Sequence, residues 1–91
     1  MKIKRVKQME AYYDEVLLVL EKEKMTINRN VDIKEKIQIL RRYQESGQWL
    51  KDYESDERGE FPSDLKRGVL SQDGLYNLLI DVDNILKCEE E

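Results

Sequence analysis

The chain has no histidine among its 91 residues and only one cysteine. The absence of histidine removes the commonest general base, the commonest metal ligand and every catalytic triad that uses imidazole. The single thiol, Cys88, cannot form an internal disulfide, which favours a reducing compartment such as the cytosol. Cys88 precedes three glutamates. Because neighbouring anions disfavour the reactive thiolate, we expect an inert side chain rather than a nucleophile.

Long apolar runs are also missing. The longest, Val16 to Leu20, is five residues, far short of the ~20 that a membrane-spanning helix needs. The chain starts with basic residues, but polar residues recur immediately after them, unlike the apolar stretch of a signal peptide. The sequence therefore disfavours membrane insertion and secretion, and it predicts a cytoplasmic protein with no membrane partner.

Clustered positive charge is scarce as well. Sixteen basic and 20 acidic residues give a net charge of -4, whereas tight binding to nucleic acid depends on clustered lysine and arginine. Nucleic acid is therefore disfavoured as a partner. A chain of 91 residues forms one domain, predicted as residues 1–91, with a thin core. Its wealth of Glu, Lys, Leu and Ile at helical spacing is typical of helical proteins.

Apolar residues recur at helical spacing through the first half of the chain. A first amphipathic helix is predicted from about Lys2 to Lys24, followed by a polar stretch that ends at Asn30. Its apolar side chains are Val6, Met9, Tyr13, Val16, Leu17 and Leu20. Asp32 begins a capping-box pattern for a second helix, which ends where Gly47 adopts a left-handed conformation.

The second half of the chain predicts one short helix and one long helix. The short helix runs from Gln48 to Arg58, and Phe61-Pro62 then interrupts regular structure. Ser71 is predicted to cap the last helix. No strand-like alternation appears. The predicted fold is all-α, a small bundle of three main helices with a short extra helix and a turn between the second and the last.

The sequence contains no complete metal-binding or catalytic motif. The acidic string from Asp52 to Asp56 has the spacing of a calcium loop at its first, third and fifth positions. The sixth position requires glycine and holds Glu57, and the twelfth requires a bidentate glutamate and holds Ser63. No glycine-rich phosphate loop is present either. We therefore assign no catalytic, cofactor-binding or metal-binding residue, expect no cofactor, and expect the protein not to be an enzyme.

One nucleic-acid alternative stays open. The sequence around Gly47 resembles the junction of a helix-turn-helix motif, but the helix that would enter the groove is acidic and would repel phosphates. The remaining possibility is a small regulator that contacts nucleic acid through a basic N-terminal arm. The arm comprises Lys2, Lys4, Arg5 and Lys7.

Some apolar residues lie away from the predicted core stripes. Leu18 and Ile80 are nearly opposite their stripes, and Ile39 lies well off its own. Single exposed apolar residues are common, and packing of several helices can bury wide arcs. The alternative is a surface for an unknown protein partner or a second copy of the chain. The candidate partner surface comprises Leu18, Ile39, Ile80, Asp52, Asp56 and Glu57.

The later part of the chain resembles a known family. The run QWLKDYESDE at 48–57, DLKRGVLS at 64–71 and YNLL at 76–79 are similar to the bacterial family catalogued as domain of unknown function 4298. The resemblance implies a short, stand-alone, mainly Gram-positive cytosolic protein with a helical fold, and it transfers no activity and no catalytic residue. The residues chosen as its structural signature are Trp49, Tyr53, Phe61, Pro62, Gly68 and Ser71.

The signature segment has a simple physical interpretation. We expect its aromatic residues and Leu50 to pack inward and its carboxylates to face water. We also expect Lys66 or Arg67 to pair with the acidic set from Asp52 to Glu60, or with a carbonyl end of a helix.

Overall fold

A computed structural model describes residues 2–22, 24–71 and 73–90. Over these ranges the chain forms four α-helices and one 3-10 helix, with no strand. The helices are α1 (Lys2–Lys22), the 3-10 helix (Lys24–Arg29), α2 (Val31–Glu45), α3 (Gln48–Glu57) and α4 (Gly74–Glu90). The predicted all-α bundle, with a short helix between the second and last long helices, is confirmed.

The three long helices enclose the core, and the short α3 packs on α2. α1 lies against α2, α4 contacts both, and the 3-10 helix contacts all three long helices. Burial of the apolar faces stabilises this arrangement by about 1.5–3 kcal/mol for each large side chain removed from water. The fully or almost fully buried apolar residues are Val6, Val16, Ile27, Ile37, Leu40, Val69, Leu70, Leu75 and Val82.

The connection from α1 to α2 is more ordered than the sequence predicts. The polar stretch forms the 3-10 helix, and its Ile27 side chain is 0% exposed. Asn30 caps α2, because its side-chain oxygen accepts a hydrogen bond from the Ile33 backbone N–H at 3.1 Å. The predicted cap at Asp32 is therefore wrong, and Asp32 lies in the first turn, where its carboxylate pairs with Lys36 at 2.9 Å.

Gly47 forms the corner between α2 and α3, as predicted. Its φ of +86° lies in the left-handed region, where an L side chain clashes with its own backbone. The Ser46 and Gly47 N–H groups donate to the carbonyls of Arg42 and Gln44, which ends α2. The next residue, Gln48, begins α3 in a new direction.

Replacement of Gly47 by alanine isolates this backbone requirement. A Cβ atom at Gly47 would meet no heavy atom within 4 Å, so the cost comes from the backbone alone. We expect Gly47→Ala to lower the free energy of unfolding by about 1 kcal/mol, and Gly47→Asn to cost less because asparagine tolerates this conformation. Urea unfolding followed by helical circular dichroism measures both. An alanine variant as stable as the wild type would contradict the requirement for glycine in the left-handed conformation at position 47.

The segment between α3 and α4 contributes to the core although it is not helical. Phe61, Leu65, Val69 and Leu70 are all buried, so this segment is anchored along its length. The predicted cap at Ser71 is wrong. α4 begins at Gly74, and the Ser71 hydroxyl instead donates to the Gly68 carbonyl at 2.8 Å.

Candidate functional site

Helix α3 buries polar side chains and exposes an apolar one. Its buried residues are Asp52 and Ser55, with Asp52 only 1% exposed, whereas Leu50 is 53% exposed. Residues three and four apart share one face of a helix. Gln48, Asp52 and Ser55 therefore form the inner face, and Leu50, Glu54 and Glu57 point away from it. This pattern departs from that of an ordinary amphipathic helix, because the fully buried side chains are polar and a leucine is exposed.

Asp52 joins three elements through a hydrogen-bond network. Arg5 of α1 donates to both carboxylate oxygens, from Nε at 3.0 Å and from a terminal nitrogen at 2.7 Å. The Tyr43 hydroxyl of α2 donates at 2.6 Å, and the Gln48 amide donates at 3.1 Å. The bidentate arginine contact fixes both distance and orientation. The inner face of α3 is thus tied to α1 and α2 by charge and hydrogen bonds.

The network determines the ionisation of Asp52 and Tyr43. Burial alone would raise the pKa of Asp52, but the hydrogen bonds from Arg5 and Tyr43 outweigh it and hold that pKa below its usual value. Burial, together with the hydrogen bond to Asp52, raises the pKa of Tyr43. Both effects favour a charged Asp52 and a neutral Tyr43 near pH 7.

An aromatic pair lies beside the exposed leucine. Trp49 and Tyr53 stack with ring centroids 5.1 Å apart and an angle of 18° between the planes. The Trp49 indole N–H donates to the Val69 carbonyl at 2.8 Å. Both rings are half-buried. One side of the pair is thus anchored to the connecting segment, and the other borders solvent.

The solvent side of α3 forms a shallow depression of about 440 Å³. We call it the outer face of α3, and its lining residues are Leu50, Tyr53, Glu54, Glu57 and Arg58. Glu54 and Glu57 are exposed, while Arg58 is turned toward Glu60, with 2.6 Å between the charged atoms. The outer face therefore combines apolar and aromatic surface with exposed carboxylates.

The residues of the predicted partner surface lie in different environments. Asp52 is buried in the network described above, so its place on a partner surface is wrong. Asp56 pairs with Arg67 at 3.0 Å, as predicted for these charges, and Glu57 is exposed. Leu18, at 52%, and Ile80 are exposed. Ile39 is half-buried and packs against the core, so it is not a freely exposed residue.

Some of the signature residues are buried and others are exposed. Phe61 is buried and Trp49 is partly buried, as predicted for the aromatic residues. The prediction is wrong for Leu50, which faces solvent. Pro62 is exposed, and its carbonyl accepts a hydrogen bond from Arg67 at 2.8 Å. Lys66 pairs with Asp14 of α1 at 2.8 Å rather than with the acidic residues of α3.

The basic N-terminal arm is not a free patch. Arg5 is held by Asp52, whereas Lys4 and Lys7 remain exposed.

Within the residues that the structure describes, no three acidic or cysteine side chains are grouped so that they could hold a metal ion. The expectation for Cys88 concerns a side chain outside the described residues. In the described helices, none is long and apolar enough to cross a membrane.

Sequence reasoning missed the Asp52 network because its charged pair is separated by 47 positions. Nothing local marks Arg5 as the partner of Asp52. One signal was available: Gln48, Asp52 and Ser55 form a polar stripe at helical spacing on a short helix that also carries Trp49 and Tyr53. A stripe of this kind indicates either a solvated face or a buried polar contact.

The comparisons with known proteins agree with the resemblance in the later part of the chain. Neither a curated protein nor a solved structure matches the chain significantly. The family model described as Domain of unknown function (DUF4298) matches residues 6–89, which include all of α2 and α3 and nearly all of α4. The chain therefore belongs to the family of this domain of unknown function.

Proposed function

We propose that this protein is a non-enzymatic, cytoplasmic interaction module whose outer face of α3 binds a protein segment carrying apolar and basic side chains. The single observation that carries the proposal is that α3 buries Asp52 and exposes Leu50. Natural sequences break such local rules mainly at functional sites. The lone cysteine supports the cytoplasmic location.

The composition of the outer face supports binding to protein. Tyrosine and tryptophan are enriched at the energetic centres of interfaces, where they offer large rigid surfaces. Tyr53 borders the depression and is braced by Trp49. A partner that covered Leu50 would remove apolar surface from water, a contribution of roughly 1.5 kcal/mol or more for a large side chain.

The charge of the outer face supports a basic partner. Glu54 and Glu57 flank Leu50 and Tyr53, and the cation that lines the depression, Arg58, is paired with Glu60. The protein as a whole carries a net charge of -4. Complementary charge speeds association and excludes partners of like charge. Exposed pairs are screened by salt, so binding should weaken as ionic strength rises.

Self-association is the second candidate, and α4 provides the observation for it. Tyr76 and Ile80 are both exposed and lie one turn apart on the same side of α4. Leu18 of α1 is also exposed. A second copy that covered these residues would form a homodimer. The nucleic-acid alternative has less support, because Arg5 is engaged with Asp52.

Two leucines of equal exposure provide a matched test. Leu50 is 53% and Leu18 is 52% exposed, so a serine at either position should change stability little. We expect partners captured from a bacterial cytosol by the wild type to be retained by Leu18→Ser and lost by Leu50→Ser. Binding of the captured partner should weaken between low and moderate salt.

Two results would overturn the choice of surface. Capture that is lost with Leu18→Ser and retained with Leu50→Ser would move the interface to α1. A concentration-dependent dimer in sedimentation equilibrium that Ile80→Asp dissociates, with Leu50→Ser without effect, would favour self-association through α4.

A further inference from the structure

One residue of the connecting segment, Val69, joins α1 to the aromatic pair through its backbone N–H and its backbone carbonyl. The Val69 N–H donates to Oε1 of Glu10 in α1 at 2.8 Å. The Val69 carbonyl accepts the indole N–H of Trp49 at 2.8 Å. Trp49 stacks on Tyr53, which lines the outer face of α3. Glu10 is thus linked to the candidate surface by a continuous chain of two hydrogen bonds and one stacking contact.

Glu10 is held tightly in this position. Its side chain is 6% exposed, and a Cβ atom at the neighbouring Gly68 would lie 3.1 Å from Oε2 of Glu10. Glycine at position 68 therefore allows the carboxylate to approach the connecting segment closely. Val69 itself is 0% exposed, so water cannot readily replace Glu10 as the acceptor of its N–H.

We propose that Glu10 is a positioning residue, which orients Trp49 through the backbone of Val69 and adjusts the outer face of α3 when its carboxylate gains or loses a proton. A carboxylate accepts a stronger hydrogen bond from an N–H than the neutral acid does. Protonation therefore loosens the hold on Val69 and changes the environment of the Trp49 indole. The effect on partner binding rests on the proposed function, whereas the effect on Trp49 does not.

Burial and the titratable groups around Glu10 determine the direction in which its pKa shifts. On α1 these are Tyr13 and Asp14, and from the connecting segment Lys66 approaches. Glu10 borders a groove between α1 and the connecting segment, and Lys7 and Asp64 also line that groove. Burial raises the pKa of Glu10, the Val69 N–H lowers it, Asp14 raises it further, and the net pKa lies above the ordinary value for glutamate. The transition is therefore expected at a higher pH than that of an exposed glutamate.

The only tryptophan in the chain is Trp49, so its fluorescence and its indole proton resonance report this site alone. We expect the wild type to show a pH-dependent change in Trp49 emission that is lost in Glu10→Gln, which keeps the size and the acceptor oxygen. Glu21→Gln, on an exposed position of the same helix, should retain the change. A transition that persists in Glu10→Gln, or its absence from the wild type, would overturn the proposal.

A second measurement needs no variant. In the wild-type protein the Val69 amide proton and the Trp49 indole proton should shift with the same midpoint. A Val69 shift without an indole shift would refute the coupling. Once a partner is identified, its affinity should change across this transition for the wild type and not for Glu10→Gln. A confirmed Trp49 transition with no binding that depends on Leu50 would refute the proposed function and leave the role of Glu10 intact.

Discussion

Replacement of Arg5 by methionine is expected to lower the free energy of unfolding by about 3 kcal/mol at pH 7, since removal of one member of a buried ion pair leaves the other uncompensated. Methionine keeps much of the apolar stem of arginine but not its charge. The carboxylate of Asp52, 1% exposed, would then lose its charged donor and keep the neutral donors Tyr43 and Gln48. The side chain of Arg5 is itself about one third exposed, which places the effect at the lower end of the usual range.

The pH dependence distinguishes this cause from a simple packing defect. The lowered pKa of Asp52 means that its contribution to stability is present above the unfolded pKa and is lost as pH falls through the folded pKa. Without Arg5, burial favours the protonated form of Asp52. The gap in stability between wild type and Arg5→Met should therefore be largest near pH 7 and narrow as pH falls toward about 4. Any contribution from Glu10 is present in both proteins and cancels in the difference.

Urea unfolding at several pH values measures the gap, because urea adds no ionic strength. Lys4→Met is the matched control, since Lys4 is exposed on the same helix and should change stability by less than about 0.5 kcal/mol. A gap that is independent of pH, or that widens at low pH, would show that the network is not held by the charge of Asp52.

Truncation of Ile27 to alanine is expected to cost about 3 kcal/mol, the usual scale for loss of a fully buried aliphatic side chain. Ile27 lies in the 3-10 helix, is 0% exposed and belongs to the core cluster. The segment that contains it contacts α1, α2 and α4. The cavity would therefore open where all three long helices meet.

Val31 offers the comparison, because it lies four residues away and is 70% exposed. Val31→Ala should change the free energy of unfolding by about 0.5 kcal/mol or less. Thermal and urea unfolding monitored by circular dichroism measure both variants. Similar small effects for the two would mean that the 3-10 helix does not seal the core and that the connection behaves as the polar turn expected from its sequence.

The helices were predictable because their signals are local. The apolar stripes and the glycine at position 47 specify where helices form and where α2 ends, and these depend on residues within a few positions of one another. The residues that cap the helices were harder to predict than the helices themselves. Asn30 and Asp32 are both residue types that cap helices, and the structure places Asn30 at the cap, where its side chain accepts from the Ile33 N–H.

The inner face of α3 was not predictable for a different reason. Asp52 is buried because Arg5 reaches it from a distant part of the chain, and no rule of spacing connects positions 5 and 52. A short helix with Trp49, Leu50 and Tyr53 invites the conclusion that all three pack inward. Because Asp52 and Ser55 occupy the interior, Leu50 is left outside, and the candidate surface follows from this long-range contact.

Binding of the partner at the outer face of α3 can be observed residue by residue. The most direct test is a map of backbone amide shifts in the labelled protein as the captured partner is added. We expect the largest shifts between Trp49 and Arg58, with little change around Leu18 and Ile80. Shifts concentrated at Leu18 or along α4, with α3 unchanged, would contradict it.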